Sequence, residues 1–385
     1  MPVFPSSLIS KLPNTGASIF SKMTALANET GAINLSQGFP DFPPHKELIN
    51  AVAGYMRKGF NQYAPMPGVM SLREAIAEKT ESVYGAVYSP EQEITITAGG
   101  TQALFTAIQS VVREGDEVIV FDPAYDSYVP AIKLAGGMPI HIPLQFPDYR
   151  YHWESVKQRI SNRTRMIILN SPHNPTGAIL REEDMQQLIK LTDGTDVILL
   201  SDEVYEHIIF NQEPHQSVLR YPRLAERSFA VFSFGKTYHN TGWKIGYCLA
   251  PENLMKQFRL VHQYQVFAVN HPIQLALSDF MVRKEAYLEL AAFYETKRDR
   301  FSDLVSSSRF TLMPCSGTYF QLLGFRDITD EADNAFAVRM TGDYGVAAIP
   351  VSVFYRSKED NKVLRFCFAK SDETLEKAAA KLCAI

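Results

Sequence analysis

Several short polar segments stand at the ends of apolar runs, and each carries a group able to do chemistry. Ser233-Phe234-Gly235-Lys236-Thr237-Tyr238 places a lone lysine after an almost wholly apolar stretch. A partly desolvated amine there loses proton affinity and becomes a nucleophile. Ser201-Asp202-Glu203-Val204-Tyr205 closes another apolar run with a carboxylate, which is costly to bury unless something pairs with it. Asn170 to Gly177 (NSPHNPTG) has the Pro and Gly of a fixed turn, which would hold the Asn174 amide rigidly. Ala98-Gly99-Gly100-Thr101-Gln102 opens a helix with glycines, and free N–H groups at such an end attract anions. Phe121-Asp122-Pro123-Ala124-Tyr125 ends a further run with an aromatic ring.

Each segment alone also has an ordinary reading. Lys236 could be a surface lysine, Asp202 a helix N-cap, the Asn174 segment a plain turn and Tyr125 core packing. Together they supply an amine, an anion for a pyridinium nitrogen, a phenol and an amide for a phenolate oxygen, a phosphate cradle and a stacking ring. Pyridoxal phosphate requires that set. Other motifs fail on inspection. Gly235-Lys236-Thr237 resembles the tail of a P-loop, but Ala230 stands where its first glycine belongs. Ser233 and Lys236 have SxxK spacing without the KTG and SDN partners of that chemistry.

A scaffold must bring these segments together. Short β-branched runs alternate with amphipathic stretches from about residue 94. Strands are expected at 94–97, 117–121, 166–170, 197–201, 229–234 and 244–249, with helices at 101–112 and near 181–191. Such alternation predicts a mostly parallel α/β sheet covered on both faces. Ligands in open α/β sheets bind beyond the carboxyl ends of the strands, where the polar segments lie. Long helices are expected over 251–280 and 284–306. Beyond them, strands near 310–313, 318–322, 346–349 and 363–368, with helices near 332–341 and 372–382, read as a smaller α+β unit. The expected division is a large domain over 40–280 and a small domain from 1–39 plus 281–385.

Composition narrows the function. The chain has 385 residues and a formal net charge of −4, which offers no basic field for nucleic acid. No apolar run approaches a membrane span. Four cysteines without a CxxC pair, and nine scattered histidines, give no metal-ligand spacing. A soluble cytoplasmic enzyme without a metal is the expectation.

The joint pattern NLSQGFPDFP (34–43), NQYAP (61–65), NSPHNPTG (170–177), SDEVYEH (201–207), SFGKTYHNTGWKIGY (233–247) and AIPVSVFY (348–355) resembles the class I/II aminotransferases of fold type I. It is most similar to the branch with the kynurenine (glutamine) and bacterial methionine aminotransferases. The resemblance implies a large domain with a mostly parallel seven-stranded sheet between helices, and a small α+β domain. It implies pyridoxal 5′-phosphate as cofactor, bound covalently by Lys236. By position, Asp202 would meet the pyridinium nitrogen, Tyr205 and Asn174 the ring oxygen, and Tyr125 the ring face. Gly100, Thr101, Gln102, Ser233 and Lys244 would hold the phosphate, with Tyr63 reaching it from the second subunit of a homodimer. Arg365 would clamp the substrate carboxylate, with Asn174 and the backbone of Gly38. Lys244 stands where many members have Arg. Phe20 stands near where the kynurenine branch has Trp.

The activity so implied is ping-pong transfer of an α-amino group between an amino acid and a 2-oxo acid. Lys236, Asp202 and Tyr205 would be the catalytic residues. Phe20, Phe39, Tyr63, Phe267, Phe354 and Tyr355 would form an aromatic side-chain pocket, with Phe20, Phe267 and Phe354 as substrate contacts. No second arginine stands at a side-chain position, so an apolar, sulfur-containing or aromatic amino acid is expected, methionine first. The alternative on the same cofactor is a cysteine-S-conjugate β-lyase.

Overall fold

The computed structural model describes residues 6–13 and 15–385. The remaining residues of the expected 1–39 segment lie outside the described residues. A seven-stranded sheet forms the centre, in the order Ile94–Thr97, Gly246–Leu249, Ser228–Ser233, Ile198–Asp202, Thr164–Asn170, Glu117–Asp122, Met138–Pro143. Only Gly246–Leu249 runs against its neighbours. The carboxyl ends of all the other strands therefore share one edge, and the reversed strand begins at that same edge.

The strands read as continuous apolar runs because both sheet faces are buried. Val118, Val120, Met166, Ile168, Phe229 and Val231 face one core with the helix Gly100–Val111. Their alternates Ile119, Phe121, Ile167, Leu169, Ala230 and Phe232 face another. This is period-two alternation between two covered layers.

A third core unites Met23 and Leu35 with residues from Leu290 to Leu382. Here a four-stranded antiparallel sheet runs Ile349–Pro350, Val363–Cys367, Phe320–Gly324, Thr311–Leu312. A short parallel pair, Ile33–Asn34 with Val346–Ala347, ties the N-terminal segment to it. The helix Ile19–Thr30 is capped by the Ser18 hydroxyl and ended by Gly31 at φ 65°.

Several expected elements differ. The single helix over 251–280 is two, Glu252–Gln265 and His271–Phe280. Phe267 takes φ 67° in the break, and the Asn270 side chain caps the second helix. The stretch 284–306 is likewise divided, into Glu285–Leu288 and Leu290–Val305. The strand expected at 244–249 starts at Gly246, because Lys244 is left-handed at φ 54°. Met138–Pro143 was not expected: its two prolines hid an edge strand, where proline is tolerated.

A buried polar layer supports the loop after Ile198–Asp202. Glu206 accepts hydrogen bonds from Lys79, Tyr84 and Tyr247, all buried. Glu203 accepts from Ser201 Oγ at 2.7 Å and from the Val218 N–H at 3.1 Å, and pairs with His215. Burial pushes the Glu206 carboxyl up, but Lys79, His207 and the hydrogen bonds outweigh it and bring it down to about 2. A carboxylate held below its ordinary value stabilises the fold above about pH 4.5, and that stability is lost as pH falls toward 2. Lys79→Met strands this carboxylate and should cost roughly 3–5 kcal/mol at pH 7 in denaturant unfolding. The gap to the unsubstituted chain should narrow below about pH 4.5; a gap constant with pH would refute the ion pair.

Candidate active site

A cavity opens at the shared strand edge. Gly100, Thr101, Tyr125, Asn174, Asp202, Tyr205, Ser233, Lys236 and Lys244 all line it, as the sequence led one to expect. Each arrives from a strand end or the loop just beyond it.

Asp202 ends its strand only 3 % exposed. Its carboxylate accepts from the Tyr128 hydroxyl at 2.6 Å and from the Val204 N–H at 3.4 Å. Among the described residues it forms no ion pair, so a buried negative group faces the cavity uncompensated. Burial raises its pKa to about 6, against the pull of Tyr128, Val204 and Lys236.

Asn174 is fixed by its neighbour in the motif. Asn170 Oδ1 accepts the Asn174 N–H at 2.9 Å, while Asn170 Nδ2 donates to the Asp202 carbonyl at 3.0 Å. The Asn174 side-chain oxygen accepts from Arg365 at 2.6 Å.

The anion site is built from the start of Gly100–Val111 and from Lys244. The first N–H groups of a helix have no partner within it. Gly99 sits at φ 82°, and a Cβ there would lie 3.3 Å from Lys244 Nζ. The positive φ therefore favours glycine there. Gly246 is equally constrained, since its Cβ would fall 2.6 Å from the Phe232 carbonyl and 2.9 Å from the Gly100 nitrogen. Gln102 differs from the expectation in one respect. Its side chain turns away, accepting from the Ala98 N–H at 3.0 Å and donating to Thr106 and Gln265, so only its backbone can serve the anion site.

Lys236 Nζ donates to the Tyr319 hydroxyl at 2.8 Å and to the Gly38 carbonyl at 3.3 Å. Burial first, with Lys244 and Arg365, brings its pKa down to about 8, while Cys367 and Asp202 oppose.

Arg365 is 1 % exposed and lies over the Phe320 ring at 3.8 Å, with Phe20 at 5.2 Å and Phe354 at 5.8 Å. One terminal nitrogen donates to the Ser36 carbonyl at 2.8 Å, while its Nε has no partner. Tyr63 and Phe267 are not brought to this cavity. They pair edge to face at 5.2 Å on the surface, 81 % and 51 % exposed. Phe39 is also partly exposed, under Lys370, and Tyr355 is packed in the core beside the sheet.

Three contributors were not singled out from the sequence. Asn170 had a signal, the NxxxN spacing inside a Pro/Gly turn. Tyr128 and Tyr319 had none, because their importance comes from residues far away in the chain.

A half-buried lysine and a buried lone carboxylate at the carboxyl edge of a mostly parallel sheet define the fold type I arrangement. Residues 30–382 match the family model for aminotransferase class I and II, and the chain belongs to that family. It is 49% identical over 382 residues to the methionine aminotransferase of Escherichia coli strain K12, covering 99% of this chain and 98% of that one. It is 32% identical to the kynurenine–oxoglutarate transaminase of Dictyostelium discoideum, over 94% of this chain and 93% of the other. The solved structure of Escherichia coli YbdL, described as having a methionine aminotransferase function, superposes with a TM-score of 0.96 at 48% identity, with 100% of both chains covered. N-succinyldiaminopimelate aminotransferase of Mycobacterium tuberculosis gives 0.94 at 33%, covering 98% of this chain and 100% of that one.

The enzyme is an aminotransferase that uses pyridoxal phosphate, and the donor set fits that cofactor. Asp202 lacks a cation and suits a ring N–H. The unpartnered N–H groups of the Gly99–Gly100 turn suit a phosphate beside Lys244. In the cofactor-free chain Lys236 should react with acetic anhydride with a midpoint near pH 8, read by mass spectrometry of competitively labelled peptides. At that pH half of the amine is neutral, against roughly 0.3% for an ordinary lysine. A midpoint above 10 would contradict the buried setting.

Proposed function

We propose that the chain moves the α-amino group of methionine, and of other apolar or aromatic amino acids, to a 2-oxo acid. The observation that carries this reading is Arg365, a buried guanidinium with an unpartnered Nε among the rings of Phe20, Phe320 and Phe354. A carboxylate anchored there leaves its side chain against aromatic surface, which suits a thioether.

Bound pyridoxal phosphate supplies a carbonyl for the amino group and a ring that takes up electrons. Lys236 holds it and carries the proton removed from the substrate Cα. Asp202, which already accepts from Tyr128, would meet the ring nitrogen. Tyr205 and Asn174 would meet the ring oxygen, and Tyr125 the ring face. Ser233, Lys244 and the N–H groups of Gly100, Thr101 and Gln102 hold the phosphate. Gly38 and Asn174 assist Arg365 at the carboxylate.

The working unit in this reading is a homodimer. Tyr63 and Phe267, paired and exposed, form an aromatic surface patch of the kind that marks an interface. Tyr63 would serve the phosphate of the second copy, and Phe267 its substrate pocket. Four free cysteines suit a reducing, cytoplasmic setting. In this reading the large domain is 40–280 and the small one 1–39 plus 281–385; most of the apolar core around Leu290–Leu382 falls in the small one, though Tyr205, Ile208 and Phe210 also pack there. The β-lyase alternative is not favoured, since the relatives above are aminotransferases or transaminases.

A panel of amino acids with one 2-oxo acid tests the substrate: methionine should be among the best and aspartate poor, and aspartate as best donor would overturn the pocket. In the same assay Lys236→Ala should abolish turnover. Arg365→Ala should lower kcat/KM roughly a hundredfold or more, chiefly through KM, by removing charge-assisted bonds to the carboxylate.

A further inference from the structure

Tyr319 is fully buried in a layer of rings, with Phe320 at 5.0 Å, Tyr205 at 5.1 Å and Tyr294 at 5.6 Å. A phenylalanine would fill that space equally well. The hydroxyl donates to the Gly38 carbonyl at 2.6 Å and accepts from Lys236 Nζ at 2.8 Å, and it also faces the Tyr205 hydroxyl.

Both anchors are immobile. A Cβ on Gly38 would lie 2.6 Å from Phe320 Cζ, so the backbone is pressed onto that ring. The loop around it is fastened by Ser36 to Arg365, by Phe39 to Lys370, and by Asp41 to Ser371 and Thr374. On the other side, Thr318 is left-handed at φ 66° and a Cβ on Gly317 would meet Pro172 at 2.8 Å.

We propose that Tyr319 is a positioning residue, which with the Gly38 carbonyl docks the Lys236 amine whenever that amine is free. The proposal rests on the reading of Lys236 as the cofactor's lysine. A neutral amine has two N–H bonds and one lone pair. Donating both hydrogens to Tyr319 and Gly38 leaves the lone pair facing the cavity, where a proton from the substrate Cα must be received. The phenol thus confines a long, flexible stem to one productive pose. The other charged or titratable groups around the amine are Tyr205, whose ring centroid lies 5.4 Å away, and Asp202, Lys244, Arg365 and Cys367, and among the described residues none of them hydrogen-bonds to it.

The test compares Tyr319→Phe with Tyr294→Phe, whose hydroxyl is buried without a partner. Labelling of Lys236 by acetic anhydride in the cofactor-free full chain should show its midpoint fall by about half to one pH unit in Tyr319→Phe, three- to tenfold in proton affinity, because an acceptor of the ammonium is gone. In the loaded enzyme kcat should fall about tenfold with KM within twofold, and the Cα-deuterium isotope effect should rise. Tyr294→Phe should change none of these. An unchanged midpoint and isotope effect in Tyr319→Phe, or equal changes in both variants, overturns the proposal. Turnover surviving Lys236→Ala would instead overturn the reading of the site.

Discussion

Asp202 and Lys236 line one cavity, and Arg365 is buried against Asn174 of the same lining; among the described residues none of the three forms an ion pair. Charged groups taken from water in this way are expensive, and the fold tolerates them only where surrounding packing is strong. Two covered sheet faces and the third core provide that packing. Desolvation then acts in opposite senses on neighbouring groups, raising the carboxyl of Asp202 and lowering the amine of Lys236. Both are moved toward the range in which protons are exchanged near neutral pH. The charge that a cofactor and a zwitterionic substrate bring would meet this imbalance.

Strand direction turns that imbalance into a site. With one strand reversed, six carboxyl ends and one amino end share an edge. The reversal matters chemically. It delivers Lys244 from the start of Gly246–Leu249 to the same edge that receives the first turn of Gly100–Val111. The left-handed backbone at Lys244 and the bare backbones of Gly99 and Gly246 are the local conditions for that approach.

Much of this was legible in the residues. Apolar strands covered on both faces announce themselves as continuous runs, and polar groups at their ends stand out by contrast. Asp202, Lys236 and Asn174 were found in that way, and Arg365 by family position. What was hidden depended on other parts of the chain. Met138–Pro143 lies at an edge and carries the marks of a loop. The single helix expected over 251–280 passed over Asn270 and Pro272, a cap and a first-turn proline that mark the start of a second helix. Tyr128 and Tyr319 read as core aromatics, and only their distance to Asp202 and Lys236 gives the hydroxyls meaning.

The loop at Ser36–Phe42 has a consequence for how the molecule assembles. Its carbonyls meet Arg365 and Tyr319 across sequence separations of 329 and 281 residues. The residues around Asp202, Lys236 and Lys244 are far closer to one another along the chain. Closing a longer loop costs more entropy, and contacts of wide separation tend to form late. Refolding should therefore gain the cofactor half of the site before the carboxylate half. An assembly intermediate could then grip pyridoxal phosphate while still unable to select an amino acid.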